Sequence, residues 1–440
     1  MKPVTSSNSP SLNGSIFIPG DKSISHRSLM ISSLANGKTK IKGILQSQDI
    51  IKTKDALEKM GVTISNFEDE LEVHGVGSGG LLEPDNIIDL GNSGTSARLL
   101  IGLISSHKMT ATLTGDESLI QRPMKRVIDP ANRIGAKIIA KNGDKLPLTI
   151  FGTDDPLPIS YNLTLPSAQV KSSILLAGLQ SAGETSIEET IPSRDHTERM
   201  LEYFGAKISV NKEKSNKKII SIKGQHDLYA SEILIPGDFS SAAFFIVAAL
   251  IVPNSNLEIK NIGINPHRIG LLNILKEMGG KIEIYNKKIN NNEPSADIKV
   301  LSSELTGVDV PPSISPSMID EYPILSIAAS KAKGETVLRG LEELKYKESN
   351  RLKSIIKMLE KFDVNVRESN ENLIIENKSQ NISGNCLINT FKDHRICMSA
   401  VIAGLVSQGP IHIDDSRMID TSFPGFIEIF NSIGGRVTEK

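Results

Sequence analysis

One phrase of hydrophobic and polar positions returns along the chain: the end of an amphipathic helix, a glycine, then residues that alternate between β-branched and polar. It reads Leu57-Glu-Lys-Met-Gly-Val-Thr-Ile64 at its first occurrence and recurs at 131–138, 201–208, 275–282, 359–366 and 430–437. The turn position falls at Gly61, Gly135, Gly205, Gly279, Asp363 and Gly434, with spacings of 70 to 84 residues. Glycine ends a helix because it takes the left-handed cap conformation without strain, and the alternation after it is that of a half-buried strand. One such phrase belongs to any α/β protein. Six at near-constant spacing predict a repeated α/β unit.

A second pattern punctuates the first. An apolar strand runs into Pro-Gly-Asp and then a helix twice, at Ile16 to Arg27 and at Ile233 to Phe244. Taken as crossings, these divide the chain into a lobe of residues 21–237 with three units and a second lobe of residues 1–20 and 238–440 with the other three. Two covalent connections make a hinge, and a site shared by the lobes would form only on closure. The longest apolar run, Phe239 to Val252, is too short to span a bilayer and predicts a buried helix.

Composition narrows the function classes. A 39% apolar and 23% charged chain is that of an ordinary globular protein, and a net charge of −1 leaves no excess for a polyanion, so nucleic acid is not expected as partner, and with no apolar run of spanning length neither is a membrane. Any anion site must come from local placement of Lys and Arg. The two cysteines, Cys386 and Cys397, lack metal-ligand spacing and cannot form a disulfide framework, which points to a reducing compartment. The first residues, Met1 to Asn8, lack the apolar core of a signal peptide, so a cytoplasmic protein is expected.

Candidate chemistry gathers at helix starts. Lys22, Ser23 and Arg27 place two cations and a hydroxyl beside free backbone N–H groups, a setting for phosphate or carboxylate. Gly94, in Leu90 to Arg98, opens an apolar helix and lets a ligand approach the backbone; a plain helix cap is the bland alternative. Arg122 stands at a turn before Pro123, where an arginine is commonly a solvated charge. Ser167 and Gln169 are neutral donors at another helix start. The charged run Ser193 to Arg199 reads as a solvated first turn, and His196 and His267 as structural. Asp320 and Glu321 precede an apolar helix. Lys347 and Arg351 stand at i and i+4 on one helical face with Glu348 beside them, a like-charge pair that costs stability unless an acid or anion lies between. Asp393-His-Arg395 precedes a further apolar helix. Two tempting matches fail: Gly75 to Gly80 fits a dinucleotide fingerprint but no helix follows it, and Asp21 interrupts the Gly-Lys of a phosphate-binding loop.

Together, in order along nearly the whole chain, the segments Pro19 to Arg27, Leu90 to Leu99, Gly115 to Met124, Ser167 to Leu176, Asp320 to Pro323, Lys347 to Leu352 and Asp393 to Arg395 resemble 5-enolpyruvylshikimate-3-phosphate synthases, also called 3-phosphoshikimate 1-carboxyvinyltransferases. Ser167-Ala-Gln-Val-Lys and Ser193-Arg-Asp-His-Thr-Glu are similar to the second sequence class of that family. The resemblance implies a two-lobed inside-out α/β barrel of six βαβαββ units, three per lobe. It implies the shikimate-pathway reaction, in which the 5-hydroxyl of shikimate 3-phosphate attacks phosphoenolpyruvate and phosphate leaves. Neither a metal nor an organic cofactor is expected, the partners are the two small-molecule substrates, and the protein is expected to be a monomer.

By the same resemblance, Lys22, Ser23 and Arg27 hold the shikimate carboxylate, and Ser167, Ala168, Gln169 and Arg194 hold its phosphate. Phosphoenolpyruvate lies against Lys22, Gly94, Arg122, Gln169, Arg351 and Arg395, with Lys347 near both ligands. Asp320 meets shikimate 3-phosphate and takes its hydroxyl proton, while Lys22 and Glu348 serve the methylene carbon. Gly94, lacking a side chain, implies inhibition by glyphosate. Three departures stand out: Asp420-Thr421-Ser422 carries no cation where one class of the family has a lysine, Glu343 stands where some members have Asn, and Asn350 replaces a usual Asp. The sister enolpyruvyl transferase acting on UDP-N-acetylglucosamine is the nearest rival, disfavoured because its reactive first-half cysteine is missing. A six-unit sliding-clamp scaffold is disfavoured because these cations cluster near acids rather than along a basic stripe.

Overall fold

The structure is a computed structural model that describes residues 1–67, 70–212 and 217–439. Contacts divide the chain into two units. One comprises Met1–Pro19, Pro236–Lys288 and Pro294–Lys440, and the other Gly20–Ile235 with Ile289–Glu293. Each unit has a hydrophobic core of its own. The N-terminal strand Val4–Ser6 belongs to the first unit because it pairs antiparallel with Ile411–Ile413 and Val437–Glu439.

Each unit holds three sheets among the described residues, and one strand order recurs in all six. In the sheet Ser160–Leu163, Glu184–Glu189, Lys218–Lys223, Lys207–Lys212, the first pair is parallel and the other two are antiparallel. The strand that sits last in this order is the one each helix–glycine–strand phrase leads into. Thr63–Phe67, Lys137–Lys141, Lys207–Lys212, Lys281–Asn290, Asn365–Ser369 and Val437–Glu439 all occupy that edge. All six turn positions lie at positive φ: Gly61 88°, Gly135 119°, Gly205 89°, Gly279 95°, Asp363 57° and Gly434 108°. The phrase is therefore a left-handed helix stop that turns the chain into an edge strand.

The helices are of two kinds, and the distinction places the site. Lys125–Ile134 buries Val127, Ile128, Ala131 and Ile134 and shows solvent a polar face. By contrast every residue of Phe239–Ile251, Tyr322–Ser330 and His394–Gly404 is buried in one unit, and nearly every residue of Lys22–Ser33, Gly94–Ser105 and Ala168–Gly178 in the other. Helices buried on every side must be surrounded by protein. The polar side chains within them, such as Arg27 and Lys171, are buried with partners, and the candidate residues Lys22, Gly94, Ala168, Asp320 and Arg395 lie at or close to their N-termini. The two Pro-Gly-Asp segments build matching starts. The Asp21 carboxylate accepts from Ile24 N at 2.9 Å, and that of Asp238 from Ser240 N at 2.7 Å. Among the described residues no helix is long and apolar enough to cross a membrane.

Candidate active site

In the unit Gly20–Ile235, three helix starts bring the expected anion-binding residues together. Arg27, 2% exposed, donates from Nε to Thr197 Oγ1 at 2.6 Å, from Nη2 to Ser172 Oγ at 2.7 Å and from Nη1 to the Ser23 carbonyl at 2.9 Å. Its Nη2 also reaches Gln169 Oε1 at 3.5 Å. All these partners are neutral. Burial, with the nearby Arg194 cation, pushes the guanidinium down to about 10, so it stays charged at neutral pH. Asp21, Glu293 and Glu198 offset this only in part, so an anion placed beside the guanidinium would be stabilised by it.

Lys22, at the first position of the same helix, pairs with Asp49 at 3.1 Å. Ser167 caps the Ala168–Gly178 helix, accepting from Val170 N. Gln169 Nε2 donates to Thr95 Oγ1 at 3.0 Å, tying that start to the Gly94–Ser105 helix. Arg122 is folded inward rather than solvated. Its Nη2 donates to Asn92 Oδ1 at 2.5 Å and to Ser118 Oγ at 3.1 Å. A Cβ on Gly94 would lie 3.0 Å from Arg122 Nη1 and 2.8 Å from Arg98 Nη1. The glycine is what lets the arginine lie across the helix start.

In the other unit the centre is Asp320. Its Oδ1 accepts from Lys347 Nζ at 3.0 Å and from Arg351 Nη1 at 3.2 Å, and its carbonyl accepts from Arg395 Nη1 at 3.1 Å. Arg351, 1% exposed, donates from Nε to Asp393 Oδ2 at 2.9 Å and from Nη2 to Glu348. Burial works against the Arg351 charge, but Asp393, Glu348 and Asp320 outweigh it and hold the proton more firmly than usual. Burial likewise opposes the Asp393 carboxylate, and the Arg351 charge brings it below its ordinary value. Arg395 donates to Ser240 Oγ at 2.6 Å.

Two local expectations change. The helix begins at Arg351, so Lys347 is not on a helical face with it: Lys347 is extended, and Asn350 Oδ1 caps the helix by accepting from Lys353 N at 3.2 Å. The acid that the like-charge pair requires is Asp320, which both cations share. Asn in place of Asp at 350 keeps the cap, since the two serve equally there. Nor is the run Ser193 to Arg199 solvated, because Ser193, Asp195, His196, Thr197 and Glu198 are buried.

Sequence reasoning assigned no role to Asp49 as the partner of Lys22, or to Asp393 as the buried partner of Arg351. It also missed Glu321, fully buried, which takes a hydrogen bond from Ser240 and pairs with Arg268 at 3.2 Å. An acid placed just before an apolar helix was the available signal, and it reads equally well as a simple cap. Thr421 donates to the Met418 carbonyl at 2.7 Å, and Glu343 lies in the 3₁₀ turn Glu342–Tyr346. Among the described residues no group of three or more His, Cys, Asp or Glu is placed to hold a metal ion.

The family model of EPSP synthase (3-phosphoshikimate 1-carboxyvinyltransferase) matches residues 7–430. The chain belongs to the EPSP synthase family. The 3-phosphoshikimate 1-carboxyvinyltransferase of Rhodospirillum rubrum is 46% identical over 99% of this chain and 98% of its own, and that of Sphingopyxis alaskensis is 50% identical over 94% of each. The solved structure of EPSP synthase from Acinetobacter baumannii is 40% identical, covers 100% of both chains and superposes with a TM-score of 0.88. Because the match to EPSP synthases runs along both units, it covers both clusters of candidate residues, not one shared module.

Proposed function

We propose that this protein transfers the enolpyruvyl group of phosphoenolpyruvate to the 5-hydroxyl of shikimate 3-phosphate and releases inorganic phosphate. The observation that carries the reading is Asp320, an acid fixed by Lys347 and Arg351 with Arg395 on its own carbonyl. One carboxylate framed by three cations can take a proton from an alcohol while the cations hold an anionic partner.

The unit Gly20–Ile235 is the shikimate 3-phosphate side. Lys22, Ser23 and Arg27 hold its carboxylate, and Ser167, Ala168, Gln169 and Arg194 its phosphate. Arg122, beside Gly94, binds phosphoenolpyruvate, as do Arg351, Arg395, Lys22, Gln169 and Lys347. Asp320 takes the 5-hydroxyl proton as that oxygen bonds to C2 of phosphoenolpyruvate. The methylene carbon gains a proton, with Lys22 and Glu348 as the groups that deliver it and later remove one. The C2–O bond to phosphate then breaks, restoring the double bond. No step passes through a metal. The reading includes a monomeric, cytoplasmic enzyme without nucleic-acid or membrane partners.

Phosphate release in a coupled assay with both substrates tests it. Wild type turns over, and Asp320→Asn, which keeps the shape but not the base, loses about 10²- to 10⁴-fold in kcat. Turnover with UDP-N-acetylglucosamine in place of shikimate 3-phosphate, or an Asp320→Asn rate equal to wild type, overturns the assignment.

A further inference from the structure

The segment carrying Arg194 rests on buried charges that none of the roles above uses. Lys171, in the Ala168–Gly178 helix, has no exposed side-chain surface. Its Nζ lies 2.7 Å from Glu198 Oε1 and 3.2 Å from Glu189 Oε1, and donates to the Ser193 carbonyl at 3.3 Å. Glu189, at the end of the strand Glu184–Glu189, accepts through Oε2 from both Ser193 N at 3.3 Å and Ser193 Oγ at 3.0 Å. Glu198 sits in the first turn of the His196–Tyr203 helix, beside Thr197, which holds Arg27. Arg194 therefore lies between two anchored points, Ser193 before it and the helix start after it, and both lead to Lys171.

Stability alone gives little reason to keep these charges. Three buried ionisable groups are on balance no better than well-packed apolar ones, since desolvation offsets their attraction. Burial pushes the Glu198 carboxyl up even with Lys171 beside it. What hydrogen-bonded charges add over apolar contacts is direction. A methionine in place of Lys171 could fill the space but could not hold the Ser193 carbonyl, nor oppose Glu189 and Glu198 so that each keeps its hold on a different element.

We propose that Lys171, with Glu189 and Glu198, is a positioning residue for phosphate recognition: it fixes the Ser193–Arg194 segment against the Ala168–Gly178 helix, so that Arg194 and the helix start meet one phosphate together. The identity of the phosphate's carrier rests on the proposed function; the anion chemistry does not. A group misplaced by about 1 Å can cost as much as 10²-fold, so the triad has leverage without touching substrate.

The test measures both KM values, kcat and the rise in Tm caused by inorganic phosphate, in wild type and Lys171→Met. The expected result is a KM for shikimate 3-phosphate raised about 10-fold or more, KM for phosphoenolpyruvate and kcat changed by less than about 3-fold, and a phosphate-induced Tm rise that is largely lost. If Lys171→Met does not fold, Glu189→Gln, which preserves volume, carries the same expected split. A lower Tm with both KM values and the phosphate response unchanged means a merely structural role and overturns the proposal. So does a wild type that phosphate does not stabilise. If wild type turns over neither substrate pair, the functional reading fails, and the phosphate response of the variants still decides this one.

Discussion

Gly94 shows how much one missing carbon can decide. The nearest atoms to its absent Cβ are the guanidinium ends of Arg98 and Arg122, flexible groups that can swing away at little cost. Gly94→Ala should therefore fold normally and displace Arg122 instead. The expected outcome is a KM for phosphoenolpyruvate raised about 10-fold, equal to about 1.4 kcal/mol, with glyphosate inhibition weakened alongside it. Inhibition curves for both proteins check this, and equal sensitivity refutes it. His26 is a second residue whose surroundings set a measurable property. It is buried with Nδ1 2.7 Å from Thr53 Oγ1, and burial, with the Lys22 and Arg27 cations, holds its imidazole well below the ordinary value. The folded protein keeps His26 neutral while the unfolded chain protonates it below about pH 6.5. Its contribution is thus fully present above that pH and falls by up to about 1.4 kcal/mol per unit below it. Urea midpoints at pH 7 and pH 5 should converge more closely in His26→Gln than in wild type.

At the scale of the element, the helix stop is the unit of construction. Five glycines and Asp363 hold the same positive-φ position, and aspartate is one of the few residues other than glycine that tolerates it. Asp363→Ala should cost about 1 kcal/mol in urea unfolding, while Asp363→Gly should not lower stability; a loss in both variants would show that the side chain, not the backbone angle, matters there. Helix stops were legible in the sequence because they need a particular residue. Helix starts were less so. The helices expected after Asp320-Glu321 and after Asp393-His-Arg395 begin at Tyr322 and already at His394, and Lys347 falls outside the helix that Arg351 begins. Many residues can precede a first turn, and the choice among them rests on which side chain reaches a free N–H.

For the whole molecule, each of the two units has a hydrophobic core of its own. Arg27, buried among neutral partners near Arg194, adds an unfavourable charge to one of them that a bound anion should relieve. Shikimate 3-phosphate at 100 times its dissociation constant should add about 2.7 kcal/mol. Hydrogen exchange should place the protection in Lys22–Ser33, Ala168–Gly178 and His196–Tyr203. A ligand that leaves exchange in these helices unchanged would contradict the assignment of the phosphate to Arg194 and the Ala168 helix start.

From the sequence alone came the six-fold phrase, the buried helix of the apolar run Phe239 to Val252 and the candidate residues that gather at helix starts. Period and turn chemistry are local, and a residue's neighbours in the chain suffice to reveal them. Only the tertiary structure decided that Asp320 is the acid shared by Lys347 and Arg351, that Asp393 lies buried against Arg351, and that Lys171 binds two glutamates from different elements. Those are pairings between charges 18 to 42 residues apart, and whether a charged side chain is solvated or buried with a partner depends on which elements pack around it, which no stretch of local sequence encodes.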